Sequence, residues 1–200
     1  MKSFLLLIFC FTLQLSAQKH VFYLHGRITE LQGANAIETT NGYGPYLYQA
    51  ILDSLSGRGL RVHSELRPAT TEVADYAQKI CLEIRQLLLA GVPARDITLI
   101  GASKGAAIAM ACSALLKNPE IRYVWLAGCC GSTDLNYSGK ILSIYEKSDS
   151  CGACHLPNEK DSAAISEFRE LALNTGLHHG FFYTPRNEWL TPALKWIFSN

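Results

Sequence analysis

Gly101-Ala102-Ser103-Lys104-Gly105 lies between an apolar run, Asp96 to Ile100, and a segment from Gly105 to Leu116 that is apolar nearly all round. The run reads as a strand and the segment as a buried helix, so five residues must turn one into the other. The spacing G-x-S-x-G fits that task. Such a turn holds its serine in a strained backbone conformation with the hydroxyl exposed, and bulky residues two before or two after would clash. The helix that follows aims its first amides and the positive end of its dipole at the same point, which suits a forming oxyanion. Ser103 is therefore the candidate nucleophile, with Gly101 and Gly105 as the glycines of the elbow. The plainer alternative is a glycine-rich turn with a passive serine.

The rest of the chain alternates. Val21 to His25, Tyr123 to Ala127 and Ile141 to Tyr145 are short apolar runs that read as strands, and Leu60 to Leu66, stopped by Pro68, is a further strand candidate. Tyr46 to Leu55, Thr71 to Leu89 and Trp189 to Phe198 carry apolar residues at helical spacing. Residues 27–45, with Gly33, Asn35, Asn41, Gly42 and Gly44, read as loop. Ser162 to Glu170 reads as a helix, with Leu171 to Leu173 a weak final strand. Strand–helix alternation at this spacing implies an α/β fold: a doubly wound, mostly parallel sheet with helices on both faces. No internal repeat, low-complexity tract or linker interrupts it.

Residues 1–17, MKSFLLLIFCFTLQLSA, have a basic start, an apolar stretch too short to span a bilayer comfortably, and small residues before a plausible cut. They read as a secretory signal peptide, leaving 18–200 as one domain, secreted or periplasmic, with no membrane contact after cleavage. The formal charge of the whole chain is +1, from 18 Lys+Arg against 17 Asp+Glu. Removal of Lys2 with the leader brings the two counts level, so nucleic acid is not an expected partner. An exported chain also meets conditions in which disulfides persist.

In a doubly wound sheet the working residues follow the carboxyl ends of the strands. After the first strand come His25-Gly26-Arg27. The backbone N–H of Gly26 or Arg27, with that of Lys104, would supply the two donors an oxyanion needs; the His25 side chain reads as structural. After Ile141 to Tyr145 come Glu146 and Asp149, two candidate carboxylates to orient a histidine; Asp149 is preferred and Glu146 is the alternative. Late in the chain His178-His179-Gly180 offers a general base on a loop. His179 is preferred to His178, and no metal-ligand spacing accompanies the pair.

The order Ser103, Asp149, His179, with His25-Gly26 early on, resembles the α/β-hydrolase superfamily from about Val21 to the end. The resemblance implies a Ser–acid–His triad acting through an acyl-enzyme on carboxylic esters or related acyl compounds. It implies a small-molecule acyl substrate and no cofactor or metal. The chain is short for such a fold and leaves no evident lid between 127 and 141, which implies an open site. Lys104, directly after the nucleophile, and Arg27 would favour an anionic substrate unless they are ordinary surface charge.

Cys151-Gly-Ala-Cys154-His155 supports other readings. C-x-x-C-H is the pattern of covalent c-type haem attachment, with His155 as an axial ligand, and C-x-x-C alone can be a thiol redox pair. A structural disulfide, between Cys151 and Cys154 or from them to Cys129 or Cys130, is the plainer alternative. A catalytically silent binding protein on the same fold completes the alternatives.

Overall fold

The computed structural model describes residues 18–131, 136–154, 156 and 164–199. The leader and His155 lie outside them. Six strands form one parallel sheet: β1 (His20–Leu24), β4 (Arg61–His63), β5 (Ile97–Ala102), β6 (Arg122–Leu126), β7 (Gly139–Glu146) and β8 (Ile165–Leu173). Their order across the sheet is β4-β1-β5-β6-β7-β8. The chain thus runs from β1 out to the edge and returns to β5, so the strand order reverses between β1 and β5. That crevice is where an open α/β sheet binds ligands.

Alternation along the strands sorts the core into two layers. Val21 and Tyr23 face one way and pack with Ile51 and Leu55 of helix α2 (Tyr48–Ser56) and with Trp189 and Ile197 of α5 (Asn187–Phe198). Phe22 and Leu24 face the other way, onto Ile80 and Ile84 of α3 (Val73–Leu89) and Ile108 and Cys112 of α4 (Lys104–Leu116). The doubly wound expectation is met, with every pairing of the six-stranded sheet parallel. Helix α4 lies close under the strand ends. A Cβ on Gly105 would overlap the backbone of Leu24 and His25, and one on Gly101 would overlap Gly105 and Ala106. This contact is why the elbow needs both glycines. Among the described residues no helix is long and apolar enough to cross a membrane.

Two expectations fail. Residues 27–45 are not plain loop: they hold a short helix α1 (Arg27–Gln32) and a small hairpin of β2 (Ile37–Glu38) with β3 (Gly44–Pro45). Gly33, at φ 79°, terminates α1 in a conformation that suits glycine. The expected helix at 162–170 is instead strand β8 from Ile165 onward. Its Glu, Arg, Leu and Ala favour a helix locally. Pairing with β7 along its length prevails, and Phe168 and Leu171 each pack against a core layer.

Candidate active site

Ser103 sits at the crest of the turn between β5 and α4 with φ 51° and ψ −116°, a backbone strained for a residue with a side chain. The surroundings over-determine it. Its N–H donates to Leu126 O on β6 at 2.8 Å, and its carbonyl accepts from the Ala106 and Ala107 amides as α4 begins. Ser103 Oγ lies 2.9 Å from His179 Nε2. His179 Nδ1 lies 2.7 Å from Asp149 Oδ2, whose other oxygen accepts from Cys151 N–H at 3.2 Å. The Asp149 side chain is only 2% exposed, so the carboxylate meets its histidine largely out of water. His179 stands on a single 3-10 turn, His178–Gly180, and the Phe182 ring meets its imidazole edge-on at 5.1 Å. Gly180 is needed beside it, because a Cβ there would lie 2.9 Å from that of Tyr43.

The alternative residues have other partners. Glu146 is fully buried and accepts from the Thr175 N–H (2.9 Å) and hydroxyl (2.6 Å), which shapes the approach to His179. Burial alone would raise its pKa, but the bonds from Thr175, with those from the Gly176 and Ser148 backbone, outweigh that and hold it below the usual carboxylate range. His178 donates through Nδ1 to Ser148 O at 2.8 Å and does not reach Ser103. Gly26 packs beside the serine, since a Cβ there would lie 3.8 Å from Ser103 Cβ. Its own N–H reaches toward the Tyr46 hydroxyl at 3.4 Å, which leaves the Arg27 N–H as the second candidate donor beside that of Lys104.

Lys104 differs from both expectations for its charge. Its Nζ donates to Glu30 Oε2 and to Thr71 O, each at 2.6 Å, so it is neither ordinary surface charge nor free for an anionic substrate. Glu30 is fully buried and receives Arg67 Nε on its other oxygen at 2.8 Å. Arg67 also donates through Nη2 to His25 O, and its backbone N–H donates to His25 Nε2 at 3.0 Å. His25 completes the cluster by donating from Nδ1 to Gly26 O at 2.9 Å. Burial, then the nearby Arg67 charge, pushes the His25 pKa down to about 4, so it is neutral and structural. Sequence reasoning missed Glu30 and Arg67. The only signal was the spacing of Glu30 one helical turn after Arg27, which required α1 to be seen first.

Of the expected cysteine pairings, the structure has the one to Cys129 and Cys130. Cys151 and Cys154 do not pair with each other. Cys129 stands at disulfide distance from Cys154, and Cys130 from Cys151. Both sulfurs that a thioether-bound haem or a C-x-x-C redox pair would use are thereby engaged elsewhere. The Cys130 and Cys151 sulfurs and a ring nitrogen of His179 lie within 4.8 Å of one another, so this pair flanks the site. Cys81 and Cys112 are buried thiols.

Two cavities adjoin the site, one beside Ser103 and one beside His179, with Cys130 lining both. One, of about 390 Å³, is lined by Val73, Ala107, Met110 and Gly128 beside Ser103. The other, of about 490 Å³, is lined by Asn41, Tyr43, Ser148 and Ser150 beside His179.

This architecture is the α/β-hydrolase fold. The chain is similar in structure to SOBER1 of Arabidopsis thaliana (14% identity, TM-score 0.55, covering 90% of this chain and 98% of that one). It is also similar to the ydeN gene product of B. subtilis (15% identity, TM-score 0.55, covering 92% and 100%). A third is Est1E from Butyrivibrio proteoclasticus (11% identity, TM-score 0.51, covering 91% and 89%). No protein-family model matches the sequence, and no curated protein matches it.

Proposed function

We propose that the chain is a serine hydrolase acting on carboxylic esters or related acyl compounds. The observation that carries this reading is the continuous line from Ser103 Oγ through His179 to Asp149, at 2.9 and 2.7 Å. In it His179 Nε2 removes the Ser103 proton as Oγ attacks the acyl carbon. Asp149 holds the Nδ1–H tautomer and stabilises the imidazolium. The N–H groups of Arg27 and Lys104 receive the oxyanion. His179 then gives its proton to the leaving group, the acyl-enzyme forms, and water repeats the sequence to release the acid. Because that proton comes from His179, the leaving group lies on the polar side with Asn41, Tyr43 and Ser150. The acyl part then lies against Ala107 and Met110. Export, with two disulfides formed, completes the reading and is supported by the cysteine pairing and the leader-like residues 1–17. The test is covalent capture. A fluorophosphonate should label folded protein once, on the peptide bearing Ser103; folded protein that takes no label would favour a catalytically silent binding protein.

A further inference from the structure

The two candidate oxyanion donors come from parts of the chain far apart in sequence: Arg27 at the start of α1, and Lys104 at the start of α4. Three buried or half-buried side chains join these parts. Glu30, three residues after Arg27, places one carboxylate oxygen 2.6 Å from Lys104 Nζ and the other 2.8 Å from Arg67 Nε. Arg67 in turn grips His25 at its carbonyl and its ring, immediately before Gly26. Thr71 O takes a second proton of the Lys104 ammonium, which fixes the lysine stem from the other side.

Burying charge is costly unless every member is paired, so a network like this tolerates little movement. The tie runs through the side chain of the residue whose own amide is a donor. We propose, on the hydrolase reading given above, that Glu30 is a positioning residue: its carboxylate, bridging Lys104 and Arg67, sets the separation of the Arg27 and Lys104 peptide N–H groups. Oxyanion donors act only when aimed at where the charge develops, so a loosened tie weakens transition-state binding and leaves ground-state binding intact.

Lys104→Met is the informative variant. It keeps the Lys104 peptide N–H and leaves Glu30 paired with Arg67, whereas Glu30→Gln would strand two cations in the interior. Hydrolysis of p-nitrophenyl acetate is followed in wild type, Lys104→Met and Ser103→Ala. Phenylboronic acid, which a nucleophilic serine converts to a bound tetrahedral anion, is titrated in parallel. The expected result for Lys104→Met is a kcat lower by about tenfold or more with KM within about twofold. Boronate affinity should fall by a similar factor while the protein stays folded by circular dichroism. Unchanged kcat and boronate affinity would overturn the positioning role and leave the hydrolase reading standing. A raised KM at constant kcat would also overturn it, by making Lys104 a substrate contact. Loss of the fold in both Lys104→Met and Lys104→Ala would assign the tie to stability and overturn it too. Wild-type turnover by Ser103→Ala would remove the hydrolase reading, and this proposal with it.

Discussion

The turn that carries Ser103 is held from beneath by buried charges, whereas the loop that carries Asp149 is held by sulfur pairs and the turn that carries His179 by hydrogen bonds to it. The difference follows the sheet. Ser103 emerges between β1 and β6, where strands and α4 already fix the backbone, and the Glu30 carboxylate, paired on one oxygen with Arg67 and on the other with Lys104, can be enclosed. Asp149 lies beyond the end of β7, in a stretch where the described residues form no further helix or strand until β8. There Cys129–Cys154 and Cys130–Cys151 join the loop after β6 to the loop after β7, supplying a constraint that packing does not. Rigidity of the arrangement can thus come from the interior for Ser103, from cross-links for the loop that carries Asp149, and from hydrogen bonds to that loop for the turn that carries His179.

The largest effect separates the two carboxylates within the second region. Asp149→Asn should lower kcat by about 10⁴-fold, because the amide favours the wrong histidine tautomer. Glu146→Gln should cost roughly 1–3 kcal/mol of stability through its Thr175 bonds, and less than about tenfold in kcat. Ester kinetics and urea denaturation on both variants check this, and the reverse ranking would make Glu146 the acid.

A smaller effect tests the cross-links. Replacing Cys130 and Cys151 together by serine should lower the melting temperature by roughly 10 °C. It should also lower kcat by about 10- to 100-fold through a displaced Asp149. Calorimetry with parallel kinetics reads both, and full activity in the double variant would show that the loop holds itself.

The smallest effect belongs to the charged region. Burial first, then neighbouring positive charge, lowers His25 and His63 to about 4. The unfolded chain, with histidines near their ordinary value, binds more protons than the folded one between about 4 and 6.5. Stability is therefore full above about 6.5 and falls as pH drops toward 4, by roughly 5 °C in melting temperature. Protonated His25 can no longer accept from the Arg67 N–H, so acid loosens the charged region while a reductant loosens the other. His63→Gln should flatten the slope in a pH series of thermal melts.

What the sequence discloses tracks how local each feature is. The elbow is legible because its strand, glycines and helix are contiguous, and Gly101 and Gly105 exclude side chains for reasons confined to that turn. Asp149 and His179 are legible as types in a strand-end context, while the choices against Glu146 and His178 depend on where Thr175 and Ser148 lie in space. Strand β8 is obscured because its residues favour a helix and only its ladder with β7 decides otherwise. The nested cysteine pairs and the Glu30–Arg67–Lys104 cluster join segments 21 to 74 residues apart, and no local pattern decides such contacts.

The central claim is that Ser103 is the nucleophile of a hydrolytic site. The most direct measurement is the turnover of p-nitrophenyl acetate by wild type and by Ser103→Ala of unchanged fold. The expected result is hydrolysis by wild type and a loss of roughly 10⁴-fold or more in the variant. Equal turnover by the two proteins would contradict it.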